Sequence, residues 1–316
     1  MGAPQTPDHG VNRLATLAAV LLFALPPGTA RQTSSPVEAI VLGIAQDGGV
    51  PHAGCRQKLC LEARRDPAKR RLVASIGLID AAAKKRFAID ATPDFAAQME
   101  RLGGLPDGIL LTHAHIGHYL GLAQLGREVL NAKAMPVYCT APMARFLREN
   151  RPWSRLVEQE NISIHVIEPG AEFALTENLH VTALKVPHRD EDSDTVAYLV
   201  RGPHRRLLWL PDIDKWEQWD RRVEQFSADP QLTAFLDGTF FEADEIPGRS
   251  IAEIPHPLVP ETTARILANG NPAAKIFFVH LNHTNRLLWD AAAVRDVEAK
   301  GFGVAREEQR VNLSGP

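Results

Sequence analysis

Three histidines that follow one short apolar run are the residues of this sequence best suited to do chemistry. His113, His115 and His118 come directly after residues 108–112, whose composition predicts a buried strand. On extended backbone, residues i and i+2 point to the same side, so His113 and His115 can present their imidazoles together. His118, at the start of a following helix, can turn back toward them. Imidazole is the commonest metal ligand near neutral pH, and three of them suit zinc or iron.

Further metal-ligand types recur where later strands are predicted to end. His188, Asp212 and His280 each stand at the end of an apolar run. A single histidine in such a place is more often a satisfied polar residue than a ligand, but repetition at strand ends, where α/β proteins bind ligands, favours one shared site. His283 competes with His280 for the last position, and His280 is preferred because it stands at the strand end itself.

Composition indicates a globular protein and excludes several classes. The 316 residues are 45% hydrophobic and 23% charged, which allows a large core. Lys and Arg total 35 against 38 Asp and Glu, and no basic run is long enough for a nucleic-acid interface. Three cysteines are too few for a disulfide-stapled scaffold. We expect a small-molecule substrate and no nucleic acid; the oligomeric state stays open.

The N-terminus predicts export. Arg13 precedes an apolar run over 14–25, and two prolines and the small residues 28–30 follow it. This order is typical of a secretory signal peptide, and the run is shorter than the ~20 residues that span a bilayer. We expect residues 1–30 to be a signal and 31–316 the mature domain, periplasmic or secreted and free of the membrane once cleaved. An uncleaved anchor is the alternative.

Strand patterns fall into two groups with helices between and after them. The first group of strands is predicted at 38–44, 74–79, 86–89, 108–112 and 136–139, and the second at 162–167, 179–185, 195–201, 205–210, 234–236 and 275–280. Helices are predicted at 93–102, 119–130, 142–149, 214–227, 260–268 and 289–300. This order predicts an α/β protein with two sheets inside and helices outside.

The order of the candidate ligands resembles the metallo-β-lactamase superfamily. A strand is followed by His-x-His-x-x-His, then by a later His, an Asp after a strand and a terminal His. The resemblance spans nearly all of the mature chain and implies a four-layer αββα sandwich with the metal at one edge between the sheets. It implies two sets of ligands, the first of His113, His115 and His188, the second of His118, His280 and a bridging Asp212.

Within that superfamily the chain is similar to the pyrroloquinoline quinone (PQQ) biosynthesis protein B family. The matching segments, in order, are Leu42-Gly43, Gly48-Gly49-Val50-Pro51, Cys55, Cys60, Ala91-Thr92-Pro93-Asp94-Phe95, Asp237-Gly238-Thr239-Phe240, His256 and His280-Leu281-Asn282-His283-Thr284-Asn285. His256 falls in the place of that family's Gly-His-x-Pro histidine. The resemblance leads us to take Asp212 and His256 as catalytic residues.

Two departures from these families concern the histidine motif. Members from true biosynthetic clusters often lack its first histidines, whereas this chain keeps all three. The superfamily motif also carries Asp before its last His, and here that position is Gly117. Since glycine offers no ligand, a one-metal or asymmetric centre is expected, with one or two zinc ions.

Three functions fit these residues. A zinc-bound water has a pKa of ~7, so a metal-bound hydroxide could attack an ester, lactone, amide or phosphodiester. Asp212 could then accept or orient the proton of the nucleophile. Iron on the same ligands would suit an oxidoreductase in quinone cofactor biosynthesis instead. A non-catalytic carrier of PQQ or its precursor is the third alternative.

Cys55 and Cys60 allow two interpretations. The resemblance implies a small structural zinc, but Gln57 replaces the middle cysteine of the family's cluster, and His52 is the only near neighbour able to help. Structural zinc usually takes four ligands. A disulfide across this short loop is the equal alternative in an oxidising compartment.

Overall fold

Two β-sheets and outer helices build the fold. The computed structural model describes residues 1–5, 36–245 and 255–315, and Ser34–Pro316 is one compact unit. Within the described residues, two seven-stranded sheets share a hydrophobic core. The fold is the αββα sandwich that the sequence predicts.

The first sheet has the strand order β14-β1-β2-β3-β4-β5-β6. Its strands are β1 (Val37–Gly43), β2 (Ser75–Asp80), β3 (Lys85–Ile89), β4 (Gly108–Leu110), β5 (Met135–Cys139), β6 (Ile162–Val166) and β14 (Arg310–Asn312). Strands β3 to β6 run parallel to one another, so their carboxyl ends meet at one edge.

The second sheet has the order β13-β12-β11-β10-β9-β8-β7. Its strands are β7 (Glu172–Ala174), β8 (His180–Val186), β9 (Thr195–Arg201), β10 (Arg206–Leu210), β11 (Leu232–Asp237), β12 (Lys275–Val279) and β13 (Gly303–Val304). Strands β10 to β13 are parallel, so this sheet also gathers carboxyl ends at one edge.

Alternation along β1 shows how the sequence separates the layers. Val37, Ala39 and Val41 belong to the core shared with the second sheet, whereas Ile40 and Leu42 pack among the helices on the other face. Residues of one strand point alternately to its two faces, so one apolar run can serve both layers. The helices are α1 (Lys58–Arg65), α2 (Phe95–Leu102), α3 (Ile116–Tyr119), α4 (Ala141–Glu149), α5 (Trp153–Glu158), α6 (Val223–Ser227), α7 (Val259–Leu267) and α8 (Ala291–Ala299).

The helix predicted over 119–130 is wrong. The single turn of α3 ends at Tyr119, where the predicted helix begins, and a 3-10 helix, Leu120–Leu125, follows it. Gly121 packs so tightly that a Cβ built on it would lie 2.7 Å from Phe95 Cβ. This close approach to α2 determines the path of the backbone in place of helix propensity.

The helix predicted over 214–227 is also wrong over most of its length. A 3-10 turn, Trp216–Gln218, precedes the short α6. The indole of Trp216 donates a 2.9 Å hydrogen bond to Thr262 Oγ1, and that of Trp219 donates a 2.8 Å bond to the Lys185 carbonyl. These two bonds anchor the segment to α7 and to β8.

The predicted signal peptide lies outside the described residues, apart from residues 1–5. Its cleavage and the export of the chain therefore stay predictions. Among the residues that the structure describes, no helix is long and apolar enough to cross a membrane.

Candidate metal centre

The predicted ligands come together at the carboxyl ends of strands from both sheets. The three histidines of the motif follow β4 in the first sheet, and the other three candidates, His188, Asp212 and His280, follow β8, β10 and β12 in the second. The imidazole centroids of His113 and His188 are 5.3 Å apart, and those of His118 and His280 are 5.4 Å apart. The edge between the sheets thus gathers ligand types from distant parts of the chain.

The first group of ligands consists of His113, His115 and His188. One nitrogen of each lies within 4.8 Å of the others. His188 Nδ1 donates a 2.9 Å hydrogen bond to Asp214, which orients its Nε2 toward the cluster. His113 Nδ1 lies 3.0 Å from Thr112 Oγ1 and is oriented in the same way.

Asp212 lies between the first group and a second one. Its Oδ2 is 3.0 Å from His118 Nε2 and 3.2 Å from His280 Nε2. Its Oδ1 is 3.8 Å from His188 Nε2. The carboxylate therefore reaches both groups, as its predicted bridging position requires.

Asp47 joins the second group, although it is not among the ligands predicted from the sequence. Its Oδ1 lies 3.5 Å from His118 Nε2 and 3.8 Å from His280 Nε2, and the three residues form a candidate ligand set. Asp47 lies in the turn that follows β1, beside the Gly48-Gly49 pair. The sequence contains one signal for this ligand, an acidic residue next to two glycines after a predicted strand.

Two further carboxylates, neither of them predicted from the sequence, hold the histidines. Asp90 Oδ2 accepts a 2.8 Å hydrogen bond from His118 Nδ1, and Asp214 holds His188 as described above. The third of these histidines, His280, has a hydroxyl partner instead, since Thr239 Oγ1 lies 2.9 Å from its Nδ1. Such partners select the tautomer and the direction of a metal-binding imidazole.

Two residues of the site have backbone conformations that L-residues rarely adopt. Asp90 has φ +69° and His280 has φ +63°. Each stands directly after a strand, β3 or β12, where the left-handed conformation turns its side chain into the cluster. A non-glycine residue in this region costs about 1–3 kcal/mol, and such strained residues cluster at functional sites.

The donor atoms fit a metal cation. Among the described residues, the buried side-chain atoms that lack a hydrogen-bond partner include Asp47 Oδ1, His113 Nε2, His118 Nε2, His188 Nε2, Asp212 Oδ2 and His280 Nε2. Buried polar atoms are nearly always paired, so a cluster of unpaired ones indicates a missing partner. Nitrogen and oxygen donors of this kind bind zinc or iron.

The charges of the cluster also indicate a site for a cation. Burial lowers the pKa of His113 well below its usual value, so this imidazole stays neutral and able to ligate. Burial also opposes the charge on His118, but Asp90, Asp212 and Asp47 together raise its pKa well above the usual range. Three carboxylates around one imidazole thus create a site that a cation neutralises.

His256 lies against the cluster, where it forms a further candidate ligand set with His188 and Asp212. Its Nδ1 donates a 2.7 Å hydrogen bond to Asp237 and lies 3.9 Å from Asp212 Oδ1. Burial would lower the pKa of His256, but Asp237 and then Asp212 raise it to about 9. The side chain predicted to be catalytic is therefore a buried imidazolium at neutral pH.

His283 lies apart from these ligand sets. It stacks on His52 with ring centroids 4.3 Å apart, and together with Trp289 it lines a neighbouring cavity. The structure thus places His280, and not His283, with the other candidate ligands.

Cys55 and Cys60 are neighbouring free thiols. Burial, with a hydrogen bond between the two thiols, raises the pKa of Cys60 to about 11. Within the described part of the chain, the sets of three or more candidate ligands do not include them. The structural zinc and the disulfide both stay predictions.

Comparisons with known proteins identify the family of the chain. A family model described as "Beta-lactamase superfamily domain" matches residues 85–281. Coenzyme PQQ synthesis protein B of Rhizobium meliloti is 26% identical, over 89% of this chain and 99% of the relative. The protein of that name from Methylorubrum extorquens is 25% identical, over 88% of this chain and 100% of the relative.

Two solved structures share the fold. Zinc-bound PqqB from Methylobacterium extorquens has a TM-score of 0.74 and 21% identity, covering 87% of this chain and 100% of that one. A diphosphatase of the PhnP family has a TM-score of 0.63 and 21% identity, covering 87% and 96%. The chain therefore belongs to the β-lactamase superfamily and, within it, resembles coenzyme PQQ synthesis protein B.

Proposed function

We propose that this protein is a metal-dependent hydrolase whose two ligand groups hold one or two zinc ions. The observation that carries the proposal is the convergence of unpaired, buried nitrogen and oxygen atoms at the sheet edge. When bound, the metal supplies a Lewis acid that lowers the pKa of water and polarises the bond to be cleaved. The substrate class is an ester, lactone, amide or phosphodiester.

Asp212 is proposed to orient the attacking water. Its Oδ2 is directed at His118 and His280, whereas its Oδ1 is directed toward His188 and His256. Burial would raise its pKa, but His280 and His118 hold it well below the usual value. The carboxylate therefore stays ionised and can accept a hydrogen bond from water at neutral pH.

His256 is proposed to donate a proton to the leaving group. Asp237 holds its Nδ1, so Nε2 is the nitrogen left to face a reacting oxygen or nitrogen. With a pKa of about 9 it is protonated at neutral pH. The same imidazolium would also stabilise an anionic substrate such as a phosphodiester.

Chromogenic substrates test the hydrolase directly. The zinc-loaded full chain would be assayed on p-nitrophenyl esters, a lactone, an anilide and bis-p-nitrophenyl phosphate. We expect turnover of at least one substrate, lost in His113→Ala and kept in His204→Ala, which removes an exposed histidine outside the ligand sets. Equal turnover in both variants would contradict the proposal.

The similarity to coenzyme PQQ synthesis protein B favours a second candidate, an iron-dependent oxidoreductase in quinone cofactor synthesis. Histidine and carboxylate donors hold iron as well as zinc. Elemental analysis of protein purified without chelator separates the two. Zinc supports the hydrolase, and iron with oxygen uptake supports the oxidoreductase. A metal-free protein that binds the quinone supports a carrier.

We also propose that residues 1–30 direct the chain to the periplasm or out of the cell. The apolar run and the small residues after it support this proposal. Cell fractionation and N-terminal sequencing of the native protein test it. A mature N-terminus near residue 31 is expected, and an intact Met1 in the cytoplasm would contradict it.

A further inference from the structure

Gly117 and Asp47 occupy one space. A Cβ built on Gly117 would lie 2.7 Å from Asp47 Cα and 2.9 Å from Asp47 Cγ, and closer still to Oδ1. Real Cβ atoms do not approach other heavy atoms so closely. A side chain at position 117 would therefore collide with both the backbone and the carboxylate of Asp47. Position 117 is also where the superfamily motif carries its carboxylate.

The Asp47 carboxylate is aimed at the second group of ligands. Its Oδ1 lies 3.5 Å from His118 Nε2 and 3.8 Å from His280 Nε2. All three atoms are buried and have no hydrogen-bond partner among the residues that the structure describes. These atoms lack a partner that a cation between them would supply.

The backbone ties the Asp47 turn to the segment that carries His280. Gln46 N–H donates a 2.9 Å hydrogen bond to the Leu281 carbonyl, and Leu281 N–H donates a 2.8 Å bond to the Ile44 carbonyl. Leu281 directly follows His280, so residues on both sides of this pairing face the same metal-ligand set. The position of Asp47 is thus determined by the main chain and not by a flexible loop.

Two glycines allow this turn. Gly49 N–H donates a 2.8 Å hydrogen bond to the Gln46 carbonyl and closes the turn, and Gly49 has φ +64°. A Cβ at Gly48 would lie 2.5 Å from the His52 ring. The Gly-Gly pair therefore presents Asp47 to the cluster at no steric cost.

We propose that Asp47 supplies the carboxylate that Gly117 lacks, so that the second group, Asp47, His118, His280 and Asp212, binds its own metal ion. The ligand has moved from the histidine motif to the turn after β1, and the loss of the side chain at 117 is what makes room for it. This inference rests on the proposed metal site, but it concerns metal content and not turnover.

Metal content of the full-length protein tests the inference. Protein loaded with excess Zn²⁺ and then desalted would be analysed by inductively coupled plasma mass spectrometry, and binding measured by isothermal titration calorimetry. We expect two zinc ions per chain in the wild type and one in Asp47→Ala. Asp47→Asn keeps the shape of the turn and should also fall to one. Asp220→Ala, which removes an exposed acidic residue, should keep two.

A substitution at Gly117 gives a second readout. Gly117→Asp should not raise zinc content, because a Cβ at position 117 collides with the Cα and the carboxylate of Asp47. Circular dichroism melting would confirm that each variant is folded. Two zinc ions retained in Asp47→Ala and Asp47→Asn, one zinc ion in the wild type, or a zinc content raised by Gly117→Asp would overturn the inference.

The two proposals fail in different ways. If the wild type binds two zinc ions but hydrolyses none of the substrates, and Asp47→Ala binds one zinc ion, the hydrolase is refuted and the ligand assignment is supported. If the wild type hydrolyses a substrate and Asp47→Ala keeps both zinc ions, the hydrolase is supported and the ligand assignment is refuted.

Discussion

The Asp90 carboxylate holds the imidazole of His118, with Oδ2 2.8 Å from Nδ1. Its Oδ1 accepts hydrogen bonds of 2.8 and 3.0 Å from the N–H and Oγ1 of Thr112, the residue before the histidine motif. Asp90 and His118 are both 0% exposed. One carboxylate thus fixes both the start of the motif and its last histidine.

Replacing Asp90 should therefore weaken metal binding without removing a ligand. In Asp90→Asn we expect zinc affinity to fall roughly 10–100-fold, the usual effect of losing a carboxylate behind a ligand histidine. Competition with a chromogenic chelator measures this affinity. Asp220→Asn is the matched control. An unchanged affinity in Asp90→Asn would show that the carboxylate does not position His118.

Metal removal should lower thermal stability. A cation that binds only the folded chain stabilises it by RT ln(1 + [L]/Kd), about 4.1 kcal/mol at 1,000 times Kd. We expect the melting temperature to fall on treatment with a chelator and to recover with zinc. In the double variant His113→Ala/His115→Ala the zinc-dependent shift should shrink. A full shift in that variant, lost in Cys55→Ser/Cys60→Ser, would assign the effect to the thiols instead.

The raised pKa of His256 predicts a pH dependence of turnover. An acid with a pKa of about 9 is protonated below that pH, so activity that depends on it should be present at neutral pH and fall as pH rises through about 9. In Asp237→Asn the carboxylate that raises this pKa is lost, and the fall should move to lower pH. In His256→Gln, kcat should fall about 10²–10⁴-fold for poor leaving groups.

The zinc content of His256→Gln, measured beside its kcat, is the control for that prediction. Equal loss of turnover for good and poor leaving groups, or a high-pH limb that persists in His256→Gln, would contradict the role of proton donor.

Asp80 should contribute stability that disappears in acid. At the end of β2 it accepts hydrogen bonds from Thr176 Oγ1 at 2.6 Å and Asn178 Nδ2 at 3.1 Å, in the turn between β7 and β8 of the other sheet. Burial would raise its pKa, but these bonds and that from Ala83 N–H lower it. A lowered carboxyl pKa stabilises the fold above the unfolded value, near 4, and the effect is lost as pH falls through the folded pKa.

Urea unfolding at pH 7 and pH 3 measures this contribution. Asp80→Ala should lose about 1–3 kcal/mol at pH 7, the effect of leaving buried hydrogen-bond donors unpaired. The difference from wild type should narrow at pH 3. The exposed Asp220→Ala is the control, and a constant difference at both pH values would contradict the mechanism.

The elements that could be predicted are those whose signal is local. The alternation along β1 and the apolar runs of β9 and β12 identify strands because side-chain direction follows a period of two. The helices predicted over 119–130 and 214–227 failed because contacts with α2 and β8, distant in sequence, determine the backbone there. Propensity carries no information about such contacts.

The candidate site also has a part that the sequence predicts and a part that depends on contacts distant in sequence. The sequence by itself determined the histidine motif and the ligand types at strand ends, because a strand that stops beside a polar residue is visible in a short window. Only the tertiary structure decided that Asp47 lies beside His118 and His280, because parallel pairing of the chain at 44–46 with Leu281 brings that turn to the sheet edge. In the sequence, Gly117 indicates a missing ligand, whereas in the structure its lack of a side chain leaves room for the Asp47 carboxylate from the turn after β1.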